Sequence, residues 1–362
     1  MDAEHLQKHT LAYIALFIGA GMLILWRLYY SIIVVIISFI ANIIFFFFNS
    51  QLTIEELLVN GGLLTGAVMF FSILLIQTRY NLTKKEIIAR LALEQSNLLL
   101  SDQKRIIEQK NKHITDSIRY AKRIQDAILP SQDRIHQYLP DSFIFFRPLA
   151  IVSGDFYWFI HKEGKSIIAA VDCTGHGVPG AFMSMIGNTL LNKVVDTTKN
   201  TSPADILFNL RKGVIKALKQ SDDINSKDGM DIALCVIDHE KKSLEYAGAF
   251  NPLYFISKGK LTQVKANRMP IGSYLDKDVQ VFNNHTLNFT SGDLIYIFSD
   301  GYADQFGGPT GKKFGARQMR ELLQSVAHLP TSEQKEIIIS HFDEWKGNHN
   351  QLDDVLVIGI RL

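Results

Sequence analysis

Four short acidic segments hold the side chains of this sequence best suited to chemistry: Ser153-Gly154-Asp155, Asp172-Cys173-Thr174-Gly175-His176-Gly177, Ser299-Asp300-Gly301 and Leu352-Asp353-Asp354. Each lies at the end of an apolar, strand-like run. Asp172 follows Ile167-Ile168-Ala169-Ala170-Val171, Asp300 closely follows Leu294-Ile295-Tyr296-Ile297-Phe298, and Asp353-Asp354 precede Val355-Leu356-Val357-Ile358. Carboxylates at the ends of neighbouring strands can converge, and such a cluster repels itself strongly at low dielectric. A hard divalent cation is the natural compensation, because oxygen-only ligand sets suit Mg²⁺ or Mn²⁺. The neighbouring glycines permit the tight turns and close backbone approach that a crowded metal site needs.

The elements that would position these groups lie in residues 141–362. Runs rich in β-branched and aromatic residues predict strands at 143–146, 155–160, 166–171, 231–238, 244–248, 253–257, 279–287, 293–298 and 354–360. Helices are expected over 180–197, 203–220, 316–327 and 332–341. Consecutive strands with clustered helices argue for an α+β layered sandwich rather than a doubly wound parallel sheet. No GxxxxGK[ST] occurs, which argues against a Walker-type site.

The motifs SGDF, DCTGHGVPGAF, AGAFNPLYF, GDLIYIFSDG and DDVLVIGI, in that order, resemble the metal-dependent protein serine/threonine phosphatases of type 2C (PPM), most of all their bacterial SpoIIE-like branch. The resemblance covers roughly residues 120–362. It implies an αββα sandwich holding two Mn²⁺ or Mg²⁺ ions bridged by a water or hydroxide. Matched by motif, it implies metal binding by Asp155 and Asp172, with Asp172 bridging both ions. It also implies the main-chain carbonyl of Cys173 as a ligand, and Asp300 and Asp353 completing the shell of the second metal. Two ions can acidify a water and stabilise phosphoryl charge, so no protein nucleophile is required. Cys173 departs from the glycine common at its position. Asp354 competes with Asp353, which strand alternation favours. His176 either takes part in substrate or proton handling or shapes its loop. Asp231, after Asp228, either meets a weak third metal or orients water, or is a plain turn carboxylate.

The remaining sequence is of a different kind. The chain has 362 residues, 47% hydrophobic and 20% charged, with a net charge of +2, which leaves no electrostatic footprint for nucleic acid. Two cysteines without CxxC spacing read as buried reduced thiols. Residues 1–80 read as a transmembrane region of about three helices, near 10–26, 29–48 and 61–77. Arg27 lies in the first connection, the second has Glu55 and Glu56 without Lys or Arg, and Arg79, Lys84, Lys85 and Arg90 follow the third. The positive-inside rule then places the C-terminal region in the cytoplasm, on a multi-pass bacterial inner-membrane protein. A two-span hairpin is the alternative and keeps that side.

Residues 81–130 contain no Gly or Pro before Pro130 and predict a continuous helical linker leading to a domain over 131–362. Leu93, Leu100, Ile107, Ile114, Ala121 and Ile128 repeat every seven residues, as in one seam of a parallel dimeric coiled coil. The companion row, Ser96, Gln103, Lys110 and Ser117 before Ile124, is polar, so a single amphipathic helix stays open as an alternative. Together these features predict a membrane-anchored phosphatase acting on a phosphoprotein in signal transduction. A silent scaffold with this fold, or a two-metal hydrolase of a small phosphoester, are the rival readings.

Overall fold

A computed structural model describes residues 27–49, 53–197, 202–220, 228–273, 281–309 and 311–362, with scattered positions before residue 27. The chain divides into two compact units, Met1–Lys110 and Asn111–Leu362.

In the first unit, α1 (Leu28–Asn49) is 22 residues of almost unbroken apolar sequence. At ~1.5 Å per residue it matches a hydrocarbon core of about 30 Å. Its Leu28–Phe45 window has a mean hydropathy of 2.4 and is 6% buried within the chain. A short α2 (Ile54–Leu57) starts at a capping box, in which Thr53 Oγ1 accepts from Glu56 N–H and Glu56 accepts from Thr53 N–H. A π-helical turn, Leu58–Gly62, leads into α3 (Leu63–Ile128). The third expected span and the linker are thus one 66-residue helix, whose apolar start forms a second window of mean hydropathy 1.4. The expected first span, 10–26, falls largely outside the described residues.

The second unit begins with the last turns of α3, which Pro130 ends, followed by α4 (Gln132–Tyr138). Two antiparallel sheets follow. One has the order β1 (Ser142–Arg147), β13 (Val355–Arg361), β10 (Leu294–Phe298), β6 (Leu253–Ser257), β7 (Lys260–Val264). The other runs β2 (Phe156–Lys162), β3 (Lys165–Cys173), β4 (Gly229–Asp238), β5 (Ser243–Ala249), β9 (His285–Asn288), with β8 (Ile271–Gly272) beside β4.

Alternation along the strands builds three apolar layers. Ile168 and Ala170 of β3, Ala233 and Cys235 of β4, Ile295 and Ile297 of β10, and Leu356 and Ile358 of β13 share one cluster between the sheets. The opposite faces of β2, β3 and β4 (Phe156, Trp158, Ile167, Val171, Leu234) pack against α5 (Gly177–Thr197) and α6 (Pro203–Ala217). Outward residues of β1, β10 and β13 (Phe143, Phe145, Tyr296, Val357) pack against α8 (Gly315–Val326) and α9 (Thr331–Lys346). The result is the α+β, αββα sandwich expected. A one-turn α7 (Gly301–Asp304) and a small hairpin, β11 (Phe306–Gly307) and β12 (Lys312–Lys313), complete it.

Several boundaries differ from the sequence expectation. The strand sought at 279–287 is confined to His285–Asn288, and residues 279–280 lie outside the described set. The last helix runs to Lys346 rather than 341, because Trp345 continues its packed face against Phe314. The small strands β7, β8, β11 and β12 have too few apolar residues to be read from pattern alone.

Candidate active site

The acidic segments meet at one end of the layer between the sheets. β2 begins, β3 ends and β4 begins at that end of one sheet, while β10 ends and β13 begins at that end of the other. Alternation extends the inward rows to the acidic positions: Asp172 continues the row of Ile168 and Ala170, and Asp231 that of Ala233 and Cys235. Asp172 and Asp231 are direct cross-strand neighbours. Cys173, one residue on, turns its side chain into the opposite, helix-covered core.

The loops that bring these groups together depend on bare backbone. A Cβ on Gly154 would lie 2.4 Å from the Gly175 carbonyl oxygen, and one on Gly180 would lie 2.3 Å from the same atom. The first acidic segment, the DCTGHG loop and the start of α5 therefore touch main chain to main chain. The Cys173 carbonyl oxygen lies beside Gly154, 3.3 Å from where its Cβ would be. On the other sheet, a Cβ on Gly301 would come within 2.0 Å of the Asp354 carbonyl oxygen.

Asp353 and Asp354 have different surroundings. Asp354 is buried; its Oδ1 accepts from Leu149 N–H at 2.6 Å, and its Oδ2 from Gly154 N–H at 2.7 Å, with Asp155 N–H at 3.5 Å. Asp353 is half-buried and accepts the Asp354 N–H at 2.8 Å through one oxygen. Alternation alone points Asp354 inward, so it does not select Asp353. The amides engaged by Asp354 leave Asp353 the less occupied of the two.

The other carboxylates are less satisfied. Asp155 is buried beside Ser299, and its Oδ2 has no hydrogen-bond partner. Burial first, then repulsion from Asp172, holds Asp155 well above the ordinary carboxylate range. Burial also raises Asp172 strongly, helped by Asp300, Asp231 and Asp353, although the Asp300 N–H donates to it. Asp231 is pushed up to about 7 by burial and by Asp300. Asp300, at the solvent-facing edge, rises to about 6 through burial and its neighbours Asp304 and Asp353, with Lys313 opposing. Asp353 is raised mainly by burial, and His176 opposes this. Burial keeps the Cys173 thiol protonated, leaving its carbonyl as the only donor it could offer a cation.

This donor set fits hard cations: it is rich in carboxylate oxygen, mutually repelling, and includes one orphaned buried oxygen. Among the described residues no three His, Cys, Asp or Glu side chains converge on one point. Main-chain oxygen and water would complete each shell, as Mg²⁺ readily accepts.

Two residues beside the acidic segments, Gln125 and Lys313, carry no signal in the sequence, and Asp231 carries an ambiguous one. Asp231, open on sequence between a weak metal or water-orienting role and a turn carboxylate, lies at the start of β4 directly opposite Asp172. Gln125, buried near the end of α3, donates to Ser153 O at 2.7 Å and Ser184 Oγ at 2.9 Å and accepts from Ser153 N–H at 3.1 Å. It ties α3 to the first acidic segment and to α5. Lys313, paired with Asp304, lies on the small hairpin.

Comparison with known proteins agrees with this architecture. Residues 162–362 match the family model of stage II sporulation protein E, SpoIIE. The SiaA-PP2C domain of Pseudomonas aeruginosa superposes with a TM-score of 0.63 at 32% identity, over 70% of this chain and 98% of that one. A PP2C phosphatase domain with a regulatory fragment from SpoIIE of Bacillus subtilis gives 0.52 at 18% identity, over 61% of this chain and 63% of that one, and shows the shared fold. Phosphoserine phosphatase RsbU of Bacillus subtilis (strain 168) is 29% identical over 161 residues, 43% of this chain; the match spans 44% of RsbU, less than half its length. With more than half of its length in the family match, the chain belongs to the SpoIIE family, within the PP2C-type protein serine/threonine phosphatases.

Proposed function

We propose that this chain is a membrane-anchored phosphatase that hydrolyses phosphoserine or phosphothreonine on a regulatory protein in bacterial signalling. The gathering of the segments that bear Asp155, Asp172, Asp300 and Asp353 at one end of the sandwich carries this reading. Asp155, Asp172, the Cys173 carbonyl, Asp300 and Asp353 would hold a pair of Mn²⁺ or Mg²⁺ ions. Such a pair supplies an acidified water nucleophile and electrostatic stabilisation of the phosphoryl oxygens. The chain's own part is to gather the carboxylates, to fix Asp155 through the Gly154 amide held by Asp354, and to keep the Cys173 thiol out of the chemistry.

The anchor would be α1 and the apolar start of α3, with the catalytic domain in the cytoplasm. The arginines and lysines at 79, 84, 85 and 90 support that side. Homodimerisation through α3 is supported by its uncovered seam: Leu93, Leu100, Ile107 and Ile114 are each more than half exposed in the single chain.

The deciding experiment is Mn²⁺-dependent release of phosphate from a phosphoserine protein by the detergent-solubilised chain, compared with Asp172→Asn and Asp300→Asn. Loss of turnover in both, with cooperative melting kept, supports the assignment. Turnover that survives both substitutions overturns it.

A further inference from the structure

A cleft lined by carboxylates repels a phosphoryl dianion unless cations face it. Among the described residues, two basic side chains act on the acidic cluster: His176 on Asp353, and Lys313 on Asp300. Lys313 lies thirteen positions after Asp300, on β12. Its Nζ donates to Asp304 Oδ2 at 2.6 Å, and Asp304 is the last residue of the single turn that Asp300 opens. Both side chains are about half exposed, 51% and 46%, so the pair contributes little to stability. Its importance lies in where it holds a positive charge.

That position is built into the fold. Gly308 N–H donates to the Trp345 carbonyl at 2.8 Å, and Trp345 Nε1–H to the Gln305 carbonyl at 3.0 Å. Phe314 N–H reaches the same Gln305 carbonyl at 2.9 Å. Gln305 is fully buried, and a Cβ on Gly307 would overlap the Trp345 main chain. The hairpin backbone is thereby clamped to the end of α9. The Lys313 side chain, with its flexible four-carbon stem, remains free to change partner.

We propose that Lys313 is a substrate-binding residue, whose ammonium leaves Asp304 to engage the non-bridging oxygens of the phosphoryl group. Asp304 is its resting partner. The exchange replaces one exposed charge-assisted hydrogen bond with another to a more highly charged acceptor. This role rests on the phosphatase reading above.

The full chain in detergent, with Mg²⁺ present, is assayed on a phosphoserine peptide and titrated calorimetrically with inorganic phosphate. For K313Q, KM and the phosphate Kd should each rise about tenfold, more than kcat falls. K313M should match K313Q, and K313R should recover most of the loss. Unchanged KM and phosphate affinity in the folded neutral variants overturn the role of Lys313. A wild-type chain that turns over no phosphopeptide overturns the phosphatase reading instead. The phosphate titration then decides Lys313 alone: a tenfold loss in K313Q sustains it, and equal or absent binding in the two proteins rejects it.

Discussion

Asp354 holds Gly154: its Oδ2 accepts the Gly154 N–H at 2.7 Å across 200 positions of sequence, joining the start of the last strand to the first acidic loop. The same carboxylate takes the Leu149 amide, so it serves the backbone, while that of its half-buried neighbour Asp353 accepts only the Asp354 N–H among the described residues. Substituting the two should separate stability from chemistry. Asp354→Ala strands buried amides and should cost about 3 kcal/mol in denaturant unfolding. Asp353→Ala should leave the midpoint almost unchanged and reduce Mn²⁺-dependent turnover about a hundredfold or more. The reverse pattern would exchange their roles.

The crowded carboxylates give the metal-free protein an unusual pH dependence. Asp231 and Asp300 are raised from 3.8 to about 7 and about 6, so between these values the folded chain holds protons that the unfolded chain has lost. Stability should therefore fall as pH rises from about 4 to 7. Melting in EDTA across pH 5 to 8 measures this, and Asp231→Asn should flatten the slope. Cations must displace the same protons, so their affinity should rise through pH 6 to 7. A melting temperature that climbs with pH in EDTA contradicts both statements.

Gly180 tests the close approach of the loops. Gly180→Ala puts a methyl group 2.3 Å from the Gly175 carbonyl oxygen, where backbone rather than a flexible side chain must move. Opening of that contact should cost about 1–3 kcal/mol. It should also weaken Mn²⁺ binding, because Asp155 and Asp172 lie on the two segments forced apart. Calorimetric titration with Mn²⁺ gives the second effect directly.

Gln125 links the helical linker to the site. Gln125→Leu keeps the volume and removes three hydrogen bonds, leaving the buried Ser153 main chain unpaired. About 2 kcal/mol of stability should be lost. If α3 orders the first acidic loop, the variant should also need more Mn²⁺ for half-maximal activity, read from a metal titration. A lowered melting point with an unchanged metal requirement would make Gln125 a structural clamp only.

The exposed seam of α3 predicts association. Leu100→Asp together with Ile107→Asp should convert a dimer to a monomer in sedimentation of the detergent-solubilised chain, because charged residues at core positions of a coiled coil are not tolerated. A wild-type chain that sediments as a monomer removes the dimer from the proposed function.

Much of this architecture was legible in the sequence because the information was local. Apolar runs rich in β-branched residues, such as Ile167–Val171 and Val355–Ile360, identified strands, and acidic residues at their ends marked where a site would form. What escaped reading depends on pairing between distant segments. Asp231 is set beside Asp172 only by strand register, and Gln125 reaches the first acidic segment only because the end of α3 packs on Ser153 and Ser184. Asp354 shows the limit most directly. On sequence alone alternation favours Asp353, whereas the inward row of β13 runs through Leu356 and Ile358 back to Asp354, and the amides that occupy it come from residues 149 to 155.

The single peptide step from Asp172 to Cys173 divides two kinds of obligation between adjacent residues. In the proposed site, position 172 would answer to the cations through its carboxylate, whereas 173 packs its side chain in the helix-covered core and would answer to them only through its main chain. The identity of the side chain at 173 is therefore free to follow the packing of α5. A change of volume there would be absorbed by a compensating change among its core neighbours, and the reacting end of the sandwich would inherit the same oxygen whichever residue supplied it.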